Sequence, residues 1–148
     1  SYYTIRPYLL SEGISDLDHV LLSHNDDDHS GGIPHLAESF DMENYILAKA
    51  AKPTYENVMA VAEEHGGTVT FAEKGDVFEL GDGAELTVLW PEEDTQAEDN
   101  DLSLVVKLTY GDFEALFTGD AEEKALRGLM VDTETLSADL LKIPHHGM

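Results

Sequence analysis

"LSHNDDDHSGG", residues 22–32, places two histidines and three aspartates within six positions, His24 to His29. The hydrophobic run "HVLLS" (19–23) leads into it and reads as a buried strand. Gly31 and Gly32 close it, and a helix is expected to start near Gly32, with Pro34 tolerated in its first turn. Three adjacent carboxylates repel one another, and a bound divalent cation reverses that cost. His24, Asp26, Asp28 and His29 can each bind such a cation, two through imidazole nitrogen and two through hard oxygen. That mixture suits zinc, manganese or iron better than calcium, which prefers oxygen alone. The same residues also suit a polar loop that caps the following helix.

Outward from this loop, strands and helices alternate. "SYYTIRPYLL" (1–10) reads as a helix leading into a strand, and "YILA" (45–48) as a short strand. Tyr55, Val58, Met59 and Ala62 fall at helical spacing within Pro53–His65, and Gly66 supplies a stop. Strands are expected at 68–72, 77–80, 84–90, 102–110 and 113–119, the last two joined by the turn "YGD" (110–112). A helix follows over Glu122–Met130, then a strand over 139–144. The acidic stretch "EEDTQAEDND" (92–101) reads as a surface loop, because Pro91 disfavours continuing a central strand. The pattern is mixed α/β.

Composition narrows the function classes. The 148 residues are about one domain, and the 42 % of hydrophobic residues can fill a core. Thirty-one acidic residues against 8 basic ones give a formal net charge of −23. Such a shell repels nucleic acid and anionic membranes at long range, so a nucleic-acid role requires cations, salt or a partner. The charge also fits a solvated surface suited to a salty medium. Cysteine is absent, which removes disulfides and thiolate ligands. No stretch approaches the ~18 apolar residues of a membrane helix, and no direct membrane insertion of this segment is expected.

Two further constellations lie beyond hydrophobic strands. Thr118-Gly119-Asp120 ends "FEALF" and presents one carboxylate; an aspartate starting the next helix is the competing reading. His145-His146-Gly147 follows "DLLKIP", and neighbouring imidazoles there can supply one ligand and one acid/base group, or form an incidental surface turn. In layered α/β proteins, strand ends at one sheet edge converge where sites are built. His19, His35 and His65 are read as packing or capping residues.

"LSHNDDDHSGG", "DLSLVVKLTYGDFEALFTGD" and "LLKIPHHGM", in that order, resemble the metallo-β-lactamase superfamily. More closely they resemble the metallo-β-lactamase-like domain of ComEC-type DNA-internalisation proteins. "PYLLSEGISDLDHVLLSHNDDDHSGGI" is similar almost throughout, and the resemblance extends from Pro7 to Gly147. It implies an αββα sandwich with two divalent metal ions in a groove at one edge. It also implies that His24, Asp26, Asp28 and His29 form the first metal motif, that Asp120 bridges the metals and that His146 is the last ligand. His145 then lies behind the ligands or donates a proton, and which of His145 and His146 binds metal stays open. Asp28 and His145 are the candidate catalytic residues.

Three departures mark this chain. Asp26 stands where most members have histidine. The usual histidine between the second metal motif and "TGD" is missing, and "EDND" (98–101) lies there, with Asp99 or Asn100 as substitutes. Both changes replace nitrogen by oxygen and favour manganese or magnesium over zinc at one position. Met148 replaces the serine of the usual "HHGS" ending. The opening strands of the fold are absent, so residues 1–148 are expected to be a single metallo-β-lactamase-like domain truncated at both ends.

The implied function is a metal-dependent hydrolase, foremost a phosphodiesterase or nuclease acting on DNA during uptake. Metal ions held by these residues would supply the acidity that readies a water for attack on phosphorus, and a histidine would protonate the leaving oxygen. Alternatives are hydrolysis of another phosphorylated, ester or lactone substrate, or a non-catalytic metal-binding scaffold in a DNA-uptake complex. The ComEC-type reading implies an extracytoplasmic domain of a membrane protein whose channel part is the partner.

Overall fold

A computed structural model describes residues 2–131 and 133–147, with Glu134 described by its backbone alone. The chain forms two compact units, Ser1–Leu47 with Ala51–Phe71, and Ala48–Ala50 with Ala72–Met148.

The first unit contains α1 (Tyr2–Ser11), β1 (Asp16–Leu21), α2 (Asp27–Ser30), α3 (Ile33–Ala37), β2 (Asp41–Ala48), α4 (Glu56–His65) and β3 (Thr68–Ala72). Its sheet runs in the order β1-β2-β3. β1 and β2 are parallel, with Leu21 opposite Ile46. The "YILA" run is buried at all four positions, as expected of an apolar run with no alternation. α4 turns its buried Val58 and Ala62 inward, and Gly66 is the stop expected from sequence, in the left-handed conformation at φ 77°. The helix expected near Gly32 is α3, with Gly32 at its N-cap and Pro34 in its first turn, and a further short helix precedes it. That helix, α2, takes in Asp27, Asp28 and His29, so the acidic loop is itself a helical turn. His29 N and Ser30 N donate to Asp26 O at 2.9 and 2.8 Å. Carboxylates in a first turn face the positive end of the helix dipole, which favours this winding.

The second unit contains β4 (Val77–Gly81), β5 (Ala84–Trp90), β6 (Val105–Tyr110), β7 (Phe113–Phe117), α5 (Glu123–Leu129) and β8 (Leu140–Lys142). The sheet order is β4-β5-β6-β7-β8. The β6–β7 hairpin turns at 110–112, with Tyr110 opposite Phe113. β5 stops at Trp90, ahead of Pro91. The strand expected from 102 begins at Val105, because Asp99–Leu102 form a 3-10 turn. That turn is held by Trp90, whose indole N–H donates to Asp101 O at 2.7 Å. Trp90, Val105, Leu116, Ala121, Ala125 and Leu129 make the core here. A Cβ at Gly128 would come within 2.5 Å of the Trp90 ring, so α5 needs its glycine at that point.

Candidate functional site

In the first unit β1 delivers the chain to Ser23 and His24, and α2 brings His29 back beside them. Leu22 N donates to Ile46 O at 3.1 Å, which ties the strand exit to β2. The Ser23 hydroxyl lies 3.0 Å from His24 Nδ1 and 3.4 Å from His29 Nδ1. The two rings sit with centroids 4.1 Å apart. One hydroxyl therefore engages the same nitrogen of both imidazoles, which turns both Nε2 atoms to the opposite side. There His24 Nε2 lies 3.7 Å from an Asp26 oxygen, and His29 Nε2 lies 3.5 Å from an Asp28 oxygen. His24 is buried, whereas the two carboxylates are exposed. Asp26 occupies the N-cap position of α2, yet its side chain makes no capping hydrogen bond. Helix capping, the competing reading of this loop, is thus not what the Asp26 carboxylate does.

In the second unit the register of β7 on β8 builds the site. The two strands are parallel, with Phe117 opposite Lys142, so three residues beyond each pair member come Asp120 and His145. Thr118 Oγ1 donates to Lys142 O at 2.7 Å and locks the strand ends together. Asp120 is buried; its Oδ2 lies 3.1 Å from His146 Nε2 and its Oδ1 3.2 Å from Lys142 Nζ. Its backbone N–H donates to the buried Ser103 hydroxyl at 3.2 Å. His145 Nδ1 lies 3.0 Å from Glu122 Oε1, and the same oxygen accepts from Asn100 Nδ2 at 3.0 Å. Both histidines hold left-handed backbone conformations, φ 43° at His145 and φ 55° at His146.

Within the first unit the structure brings together His24, Asp26, Asp28 and His29; within the second, Asp120 and His146, with His145 beside Glu122. Of the two substitutes for the missing histidine, Asn100 is engaged by Glu122 and Asp99 is exposed at φ 48°. Sequence reasoning missed Ser23, Ser103, Glu122 and Lys142. Ser23 and Lys142 lie inside the quoted motifs, one position before His24 and three before His145, which was the available signal. Ser103 lies inside the motif that ends in Asp120, whereas Glu122 carried no signal, since it acts on a residue distant in sequence.

The donor set fits a divalent cation of the borderline class. Two imidazoles are oriented through Nδ1 by a hydroxyl, the arrangement that fixes a histidine to bind through its other nitrogen. Hard carboxylate oxygens stand within 4 Å of both Nε2 atoms.

A model of the metallo-beta-lactamase superfamily matches residues 2–147. The chain belongs to that superfamily. It is 32 % identical over 143 residues to ComE operon protein 3 of Bacillus subtilis, covering 95 % of this chain and 18 % of that protein. It is 30 % identical to Recombination protein 2 of Haemophilus influenzae, over 97 % of this chain and 16 % of that protein. It is 28 % identical to Competence protein ComA of Neisseria gonorrhoeae, over 97 % of this chain and 18 % of that one. The chain thus spans less than a fifth of the curated relatives it matches. The resemblance to ComEC-type proteins agrees with these relatives. Among solved structures, Zn(2+)-bound PqqB from Methylobacterium extorquens superposes with a TM-score of 0.55 at 15 % identity, over 84 % of this chain and 40 % of that one, which bears on the fold alone. The fold class is the one the motifs implied. Among the described residues, no helix is long and apolar enough to cross a membrane.

Proposed function

We propose that this chain is a metal-dependent phosphodiesterase, with DNA as its foremost substrate, and that it works as an extracytoplasmic domain of a larger DNA-uptake membrane protein. The proposed ligands of two divalent ions, zinc or manganese with magnesium as a further option, are His24, Asp26, Asp28, His29, Asp120 and His146. The observation that carries this reading is the shared Ser23 hydroxyl, which turns both Nε2 atoms of His24 and His29 toward carboxylates. The ions, when bound, supply Lewis acidity and a positive centre that a phosphate can approach in an otherwise acidic protein. Asp28 takes the proton of the attacking water. His145 gives a proton to the leaving oxygen. Lys142 offsets part of the buried charge of Asp120. The relative named Competence protein ComA is in keeping with a place in DNA uptake.

The test is elemental analysis of the chain after incubation with manganese or zinc and desalting, followed by hydrolysis assays on single- and double-stranded DNA. The chain is expected to retain divalent metal and to cleave; Asp28→Ala and His29→Ala should reduce cleavage by at least about 100-fold, the scale of a lost catalytic group, with the fold intact. Full activity after treatment with a chelator would overturn the metal mechanism. Metal retention without hydrolysis of any phosphodiester would favour the scaffold instead.

A further inference from the structure

Glu122 is not among the metal-ligating or catalytic residues assigned above. It is the last residue before α5, and its backbone N–H is held by Asp101 Oδ1 at 2.9 Å, which fixes where its side chain starts. Its Oε1 meets His145 Nδ1 at 3.0 Å and accepts from Asn100 Nδ2 at 3.0 Å. The oxygen that His145 meets is thus already an acceptor, from Asn100, and Nδ1 is placed to be its second donor. The other end of His145 is fixed as well: its backbone N–H donates to Gly119 O at 3.3 Å, and its φ of 43° is a conformation that a side-chain-bearing residue rarely adopts. A ring held at its backbone and at Nδ1 has one nitrogen left to present.

We infer that Glu122, oriented in turn by Asn100, is the positioning residue for His145: it accepts the Nδ1 hydrogen, sets the ring's orientation and makes Nε2 the nitrogen that hands a proton to the leaving group. This rests on the phosphodiesterase reading and adds a residue to it. In the step itself, water oxygen forms the new bond to phosphorus and its proton goes to Asp28. The bond from phosphorus to the leaving oxygen breaks, and its electron pair stays on that oxygen. The His145 Nε2–H bond breaks, and the proton goes to the same oxygen. His145 is left neutral, still donating from Nδ1 to Glu122. The proton on Asp28 returns through solvent to restore His145, so the sum is diester plus water to monoester plus alcohol. Asn100 thereby has a role other than replacing the missing metal ligand.

Two measurements on the whole chain test this. The first is the long-range 1H–15N spectrum of the histidine rings in metal-free protein at pH 8. The wild type is expected to show His145 as the Nδ1–H tautomer, and Glu122→Ala to convert it to the Nε2–H form preferred in water, with the backbone amide spectrum otherwise unchanged. An Nε2–H tautomer in the wild type, or one indifferent to Glu122→Ala, overturns the positioning role. The second compares manganese-loaded wild type and Glu122→Ala on two diesters, bis(4-nitrophenyl) phosphate, whose leaving group departs without a proton, and a thymidine dinucleotide, whose leaving group needs one. The variant should lose at least tenfold more on the dinucleotide, out of the roughly 100-fold a proton donor contributes. Equal losses on both overturn the inference while leaving the hydrolase reading standing. A wild type that hydrolyses neither overturns the hydrolase reading, and the ring spectrum still decides whether Glu122 fixes His145.

Discussion

Tyr45 shows how a single side chain can run against its surroundings. It is fully buried in β2, and burial raises its phenol above the ordinary value of 10.0. Among the described residues its hydroxyl has no hydrogen-bond partner. An unsatisfied buried hydroxyl costs free energy that an apolar group of the same shape does not. Tyr45→Phe is therefore expected to be neutral or to stabilise the fold by up to about 1 kcal/mol, read as a higher urea midpoint at unchanged slope. A loss of stability would show that the hydroxyl is satisfied. Ser23 is the opposite case, one small hydroxyl that serves two rings at once.

At the scale of elements, α5 is capped from outside its own sequence. Asp101, in the 3-10 turn ahead of β6, accepts from the backbone N–H groups of Glu122, Lys124 and Ala125 at 2.9, 3.2 and 2.9 Å. Those are among the donors a helix start leaves unsatisfied. Part of the acidic stretch read as a surface loop is thus a helix cap, and the cap is also what anchors Glu122. Asp101→Ala is expected to cost about 1–2 kcal/mol, the upper range for a lost cap. The thermal midpoint should fall, and hydrogen exchange should accelerate in the first turn of α5 before it does in β5 or β6. Unchanged protection there would show that the helix does not depend on this cap.

For the whole molecule, charge dominates. With 31 acidic and 8 basic residues, the net charge of −23 acts against compaction and against DNA alike. Ordinary DNA-binding proteins lose affinity as salt rises, because their lysines and arginines displace counterions. Here self-repulsion is the larger effect, and its range shrinks from ~30 Å at 0.01 M salt to ~8 Å at 0.15 M. At fixed excess divalent metal, DNA cleavage and the thermal midpoint are both expected to rise with monovalent salt over that range. Cleavage that falls steadily from the lowest salt would show that a basic path for DNA outweighs the net charge.

The sequence by itself determined the family, the alternation of strands and helices, and the strand-end placement of His24–His29, Asp120 and His145–His146. Each of these is carried by local pattern: an apolar run, then a glycine or a cluster of ligand-type residues, in one stretch of chain. Tertiary structure decided which atoms meet. The register that sets Phe117 against Lys142 brings Asp120 to His146 across 26 positions, and no periodicity encodes it. The winding of Asp27–Ser30 sets His29 beside His24 over one hydroxyl, where the sequence suggested an open loop. From sequence, Asp101 reads as part of an acidic surface loop, Asn100 as a substitute metal ligand and Glu122 as the start of a helix. In the fold they differ because a backbone amide, a carboxylate and an imidazole from other segments arrive at hydrogen-bonding distance, and hydrogen-bond partners are chosen by proximity in space.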